Sequence, residues 1–160
     1  MMISIWGDPL RGSAASLFIY AFLMAGFAPA GFGQSKDSAF VYLADAFLRG
    51  QLHLAQLPAS TLDLVLYKGQ YYLYWPPFPA IVFMPLVALF GVGVSDALVS
   101  LLSAAANVFL VAAILAELDR QGIVVLNAGR RACLTVFFVL GTVHLTLAIY
   151  PRVWFTAQLL

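Results

Sequence analysis

Three of the protein's seven acidic residues, Asp37, Asp45 and Asp63, fall between Gly33 and Pro79, together with the basic residues Lys36, Arg49 and Lys68. A carboxylate in a polar stretch can take a proton from a hydroxyl, and a nearby cation can hold the negative charge of a leaving phosphate. Asp37 and Asp63 are the candidates for the proton acceptor. Asp45 ranks third, because Arg49 follows it at the i,i+4 spacing that pairs charges along a helix for roughly 0.2–0.5 kcal/mol. Other chemistries lack their carriers: the chain has no G-x-S-x-G, Walker or G-x-G-x-x-G pattern, and no histidine pair at i,i+4. Cys133 is the single cysteine, and His53 and His144 stand alone, so the sequence shows neither an internal disulfide nor a structural metal set.

The segments that must position these groups are strongly apolar. Of the 160 residues, 63% are hydrophobic and 9% charged, against roughly 25% charged in soluble proteins, and the mean hydropathy is +0.96. This composition predicts an all-α integral membrane protein, a single membrane region over residues 1–160. A net charge of +1 with scattered basic residues excludes nucleic acid as a partner; the lipid bilayer is the partner that the composition implies. Three spans are expected, at about residues 14–32, 96–118 and 132–150, with Asp96 as the cap that opens the second. Residues 78–93 are apolar but short and carry Pro79 and Pro85, which predicts a re-entrant or surface helix. Arg11, Arg120, Arg130 and Arg131 belong inside by the positive-inside rule. The N-terminus is then cytoplasmic, the chain multi-pass in the plasma (inner) membrane, and the loop 33–93 outside. A secretory signal peptide is the competing reading of the first apolar run, with Ala28-Pro29-Ala30 resembling a cleavage site.

Within the outer loop, Phe40, Leu43, Ala44, Phe47 and Leu48 recur at helical spacing while Asp37, Asp45 and Arg49 point elsewhere. This predicts an amphipathic helix on the membrane surface, stopped by Gly50 and opened by Asp37 as either a cap or a catalytic carboxylate. Leu62–Tyr67 and Gln70–Trp75 read as a short β-hairpin turning at Lys68-Gly69. Its aromatic residues suit a membrane interface or the face of a sugar. In the second span, Ser100, Ala104 and Asn107 are expected to serve helix contacts. His144, in the third span, is either functional or a neutral histidine bonded to a neighbouring helix.

The order of a first span, an outer helix opened by Asp37, the segment Tyr67-Lys68-Gly69-Gln70-Tyr71-Tyr72, and Trp75-Pro76-Pro77 before an apolar helix resembles the N-terminal part of the GT-C membrane glycosyltransferases. The protein-mannosyltransferase and aminoarabinose-transferase branch (family 39-type) is the most similar. The resemblance implies transfer of a sugar from a polyprenyl-phosphate carrier to an acceptor at the outer face, with Asp37 as base and Asp63 as runner-up. It implies donor and acceptor contacts among Arg152, Lys36, Lys68, Tyr71, Tyr72 and Trp75, with Arg152 favoured over Lys36 for the phosphate, and it leaves a divalent cation open as a cofactor. Many relatives show adjacent Asp and Glu where this chain has Asp37-Ser38, and they carry more spans. The chain is therefore expected to be a piece of a longer protein and inactive alone. The alternative is a small non-catalytic membrane protein that acts as a binding or assembly partner.

Overall fold

The computed structural model describes residues 5–28 and 31–160. It is mostly helical, about 64% of the chain, with seven α-helices and one hairpin numbered here among the described residues. Helix α1 spans Pro9–Phe27, opened by Asp8, whose Oδ1 accepts from the Arg11 amide at 2.9 Å, and by Pro9 in the first turn, where a missing N–H costs nothing. Helix α2 covers Ala39–Leu48. Strands β1 (Leu64–Tyr67) and β2 (Gln70–Leu73) pair antiparallel, with Tyr67 opposite Gln70. Helix α3 covers Phe78–Phe90 and runs into a 3₁₀ turn at Gly91–Gly93. Helices α4 (Asp96–Arg120), α5 (Ala128–Gly141), α6 (His144–Ile149) and α7 (Val153–Leu159) complete the chain.

Two of these helices, α1 and α4, are long and apolar enough to cross a membrane. They lie against each other and are antiparallel: Gly7–Pro9 and Ala116 line one cavity at one end, while Phe32 and Gly33 bond to Ser95 at the other. Tyr20 and Met24 of α1 are fully buried against Ala97, Leu101, Ala104 and Val108 of α4, with Val139, Leu147 and Leu159 closing the same core. A second core joins α2 to α3 through Phe40, Leu43, Ala44, Ala80, Phe83 and Val87, and Val153 at the start of α7 enters it.

The first expected span shifts. Residues 14–32 were expected to be helical, but α1 begins five residues earlier and ends at Phe27, with Ala28 extended and a turn at Gly31 and Phe32. Pro29 and Ala30 of the cleavage-like tripeptide lie outside the described residues. The third expected span, residues 132–150, is not one helix. Helix α5 stops at Gly141, and α6 restarts at His144. At about 1.5 Å per residue its 14 residues reach about 21 Å, short of a hydrocarbon core of about 30 Å. Two of the carbonyls freed by the break find side chains: Thr142 Oγ1 donates to the Phe138 carbonyl at 2.8 Å, and Tyr20 Oη lies 3.4 Å from the Val139 carbonyl. His144 sits at the restart, buried, with Nδ1 2.9 Å from Tyr20 Oη. Of its two readings, the bond to a neighbouring helix is what the structure holds.

Two further expectations are corrected. The helix read as amphipathic and lying on the membrane surface is instead covered on several sides, because α3, the 3₁₀ turn after it and strand β2 all pack on it; Val41 and Ala46 are buried as well, whereas Leu48 is exposed. Asp96 does not cap α4. Ser95 does, its Oγ accepting from the Leu98 amide at 3.1 Å, and Asp96 is the first helical residue, only 3% exposed. The hairpin turns at Lys68-Gly69 as expected, both with positive φ (50° and 77°), the twist that a two-residue turn between strands requires. Its strands are shorter than read, since Leu62, Asp63, Tyr74 and Trp75 fall outside them. Gly50, at φ 70°, ends α2, and Asp45 holds Arg49 through two bonds of 3.0 and 3.1 Å. Asn107 donates to the Leu159 carbonyl, and Ser100 meets Thr156 at 3.1 Å, so these polar groups do serve helix contacts.

Candidate functional site

The segment that leaves α1 is held in place before it reaches Asp37. Gln34 Nε2 donates to the carbonyls of Val92 and Val94 at 2.7 and 3.3 Å. Ser35 is buried; its amide donates to Asp96 Oδ1 at 2.8 Å and its hydroxyl donates to Asp96 Oδ2. From the other side, the Ser60 amide donates to the Lys36 carbonyl at 2.9 Å. Anchors at three successive residues, through the Gln34 side chain and the backbone of Ser35 and Lys36, leave the backbone at Lys36 and Asp37 little freedom of placement, although they stand in a loop.

Opposite them, α6 ends at Ile149 and the chain passes through Tyr150, Pro151 and Arg152 in extended conformation before α7. The two segments enclose a cavity of about 410 Å³ lined by Gln34, Ser35, Lys36, Asp37, Tyr150, Pro151 and Arg152, within the size range of small-molecule sites. Asp37 is half-buried, and Lys36 and Arg152 are exposed. None of the three side chains takes part in a hydrogen bond or an ion pair among the described residues; the Arg152 guanidinium lies 5.5 Å from the Trp154 ring centre. Nor does Asp37 cap α2: Ser38 occupies that position without a side-chain cap bond. An unpaired carboxylate facing a cavity with two unpaired cations can accept a proton on one side and hold an anion on the other.

The expected site residues therefore divide. Asp37, Lys36 and Arg152 meet in the cavity, while Asp63, Lys68, Tyr71, Tyr72 and Trp75 belong to the hairpin and do not line it. Asp63 is buried, 6% exposed, and its Oδ1 accepts from Tyr74 Oη at 2.8 Å and from Trp75 Nε1 at 3.1 Å. That hydrogen bond is the largest cause pushing the Tyr74 phenol above its usual pKa, because the neighbouring carboxylate disfavours a phenolate. Lys68 lies over the Tyr67 ring, Tyr72 donates to Gln70, and the Tyr71 carbonyl accepts from the Leu54 amide. Sequence reasoning missed Gln34, Ser35 and Tyr150 as parts of the site and misread Asp96 as a cap. No local pattern links Ser35 to Asp96, which stand on different sides of the hairpin and α3.

No group of three or more metal-ligating side chains gathers among the described residues. Among the described residues Asp37 is the only acid lining the cavity, a poor donor set for a hard divalent cation, which takes several oxygen ligands. Site and fold thus define a mostly helical chain with two apolar helices long enough to cross a membrane and a charged cavity beside the ends of both. No known protein family, no curated protein and no solved structure matches it.

Proposed function

We propose that the chain is part of a multi-pass membrane glycosyltransferase that moves a sugar from a polyprenyl-phosphate carrier to an acceptor hydroxyl at the outer face. The observation that carries this reading is the cavity in which Arg152 is brought to Lys36 and Asp37 from the far end of the sequence. In the transfer, Asp37 takes the acceptor's hydroxyl proton as the oxygen attacks the anomeric carbon. The carbon–oxygen bond to phosphate breaks, and the carrier phosphate leaves with the electron pair. Arg152 and Lys36 meet the charge that grows there, which lowers the barrier.

The charge distribution supports the orientation. Arg120, Arg130 and Arg131 gather at the end of the bundle where α4 stops and α5 starts, and Arg131 pairs with Asp119 at 3.1 Å. The cavity lies at the opposite end. With three arginines on the cytoplasmic side, α1 and α4 crossing, and α5 to α7 forming a broken third passage, the cavity opens outside. The exposed aromatic rings of Phe18, Phe22 and Phe137 fit lipid or further helices, and they also favour the second reading, a non-catalytic assembly partner.

The test is sugar transfer from a panel of labelled polyprenyl-phosphate donors in membranes containing the full-length protein. Asp37→Asn keeps size and removes the base, so transfer should fall by at least about a hundredfold at unchanged expression. Undiminished transfer by this variant would remove Asp37 from the chemistry. No transfer by the wild-type protein with any donor would favour the assembly partner.

A further inference from the structure

We propose a second site, distinct from the charged cavity, in which the open face of Tyr74 stacks on a neutral pyranose while Asp63 accepts a hydrogen bond from one of its hydroxyls. Tyr74 is 58% exposed although its polar end is turned inward. Its ring stacks on Trp75, with centres 5.8 Å apart and planes at 28°, so one face is covered and the other is open. Both rings are held by one atom: Asp63 Oδ1 takes the phenol hydroxyl and the indole N–H. Asp63 Oδ2 takes no hydrogen bond among the described residues, so the carboxylate keeps one oxygen as a spare acceptor. A fixed aromatic face beside a free carboxylate oxygen matches the two sides of a pyranose: C–H groups of positive edge character on the negative ring face, and a hydroxyl on the acceptor.

A lipid anchor accounts for the exposed ring but not for the acid. No cation pairs with Asp63 among the described residues, so hydrocarbon laid over this surface would strand a carboxylate away from water, whereas a sugar hydroxyl satisfies it. The same carboxylate selects against anionic sugars. The proposal stands whether or not Asp37 is a base, and it is tested by binding rather than by transfer.

Trp75 is the reporter. In the chain with Trp6→Phe and Trp154→Phe, reconstituted in phosphatidylcholine vesicles without sugar detergents, its fluorescence is titrated with the methyl glycosides of glucose, galactose, mannose and arabinose. At least one should give a saturable change in the millimolar range. Tyr74→Ala, which removes the ring, should weaken that binding by about tenfold or more, equivalent to about 1.4 kcal/mol. Tyr74→Phe keeps the ring and should bind better than Tyr74→Ala. No saturable response to any glycoside, or equal binding by Tyr74→Ala, would overturn the proposal; quenching of Trp75 by brominated lipid without a sugar response would identify a lipid anchor instead.

Discussion

Replacing Asp96 by alanine tests the lock that holds Lys36 and Asp37 in place. The substitution removes the acceptor for both the amide and the hydroxyl of Ser35, each a buried bond. Two such bonds contribute about 1 kcal/mol each, and leaving the Ser35 amide buried without a partner costs about 1 kcal/mol more, for a total of about 3 kcal/mol. Asp96→Asn keeps an oxygen for the amide and should cost only about 1 kcal/mol. Reversible unfolding by SDS in mixed micelles measures both. Ser35→Ala in the same background should show a coupling of at least about 0.5 kcal/mol with Asp96→Ala, since the pair shares one contact. An alanine variant within about 0.5 kcal/mol of wild type, the range expected for a surface change, would show that the lock contributes nothing and that the placement of Asp37 has another cause.

Two other outcomes follow from the bundle. Tyr20→Phe leaves His144 Nδ1 buried without its partner and should cost about 1–3 kcal/mol, while adding His144→Phe should recover part of the loss; an equal or greater cost in the double variant would refute the pairing. Cys133 is exposed near the start of α5, so its thiol reports the side on which that end lies. In intact cells it should label poorly with an impermeant thiol reagent added outside, and strong labelling would reverse the proposed topology.

Local signals were read well where the chain supplies both partners within a few residues. The hairpin turn at Lys68-Gly69, the stop at Gly50 and the Asp45–Arg49 pair were all legible. Periodicity misled at α2, because an apolar stripe does not say how many neighbours will cover the helix; three elements do, and residues off the stripe such as Val41 are buried too. Hydropathy misled at residues 132–150, because an apolar run has the same composition whether or not it is one helix. The break there depends on Thr142 and on Tyr20 from a helix more than a hundred residues earlier in the chain. At the cavity, the choice of Asp37, Lys36 and Arg152 rested on resemblance and side, and these residues do meet. The lock beneath them was hidden, since Asp96 looked like a cap and its true partner, Ser35, looked like a loop residue.

The break between α5 and α6 carries a geometric consequence. In an unbroken helix every residue is tied to every other by a fixed rotation of about 100° and a rise of about 1.5 Å, so the direction of Arg152 would be dictated by the face that α5 buries against the bundle. The extended residue Thr142 uncouples them. Helix α5 can present Val139 to the core while the chain beyond it turns through its own angle to bring Tyr150 and Arg152 over Asp37. The cavity's far wall can therefore be re-aimed by changes at the joint alone, without repacking the helix that carries it.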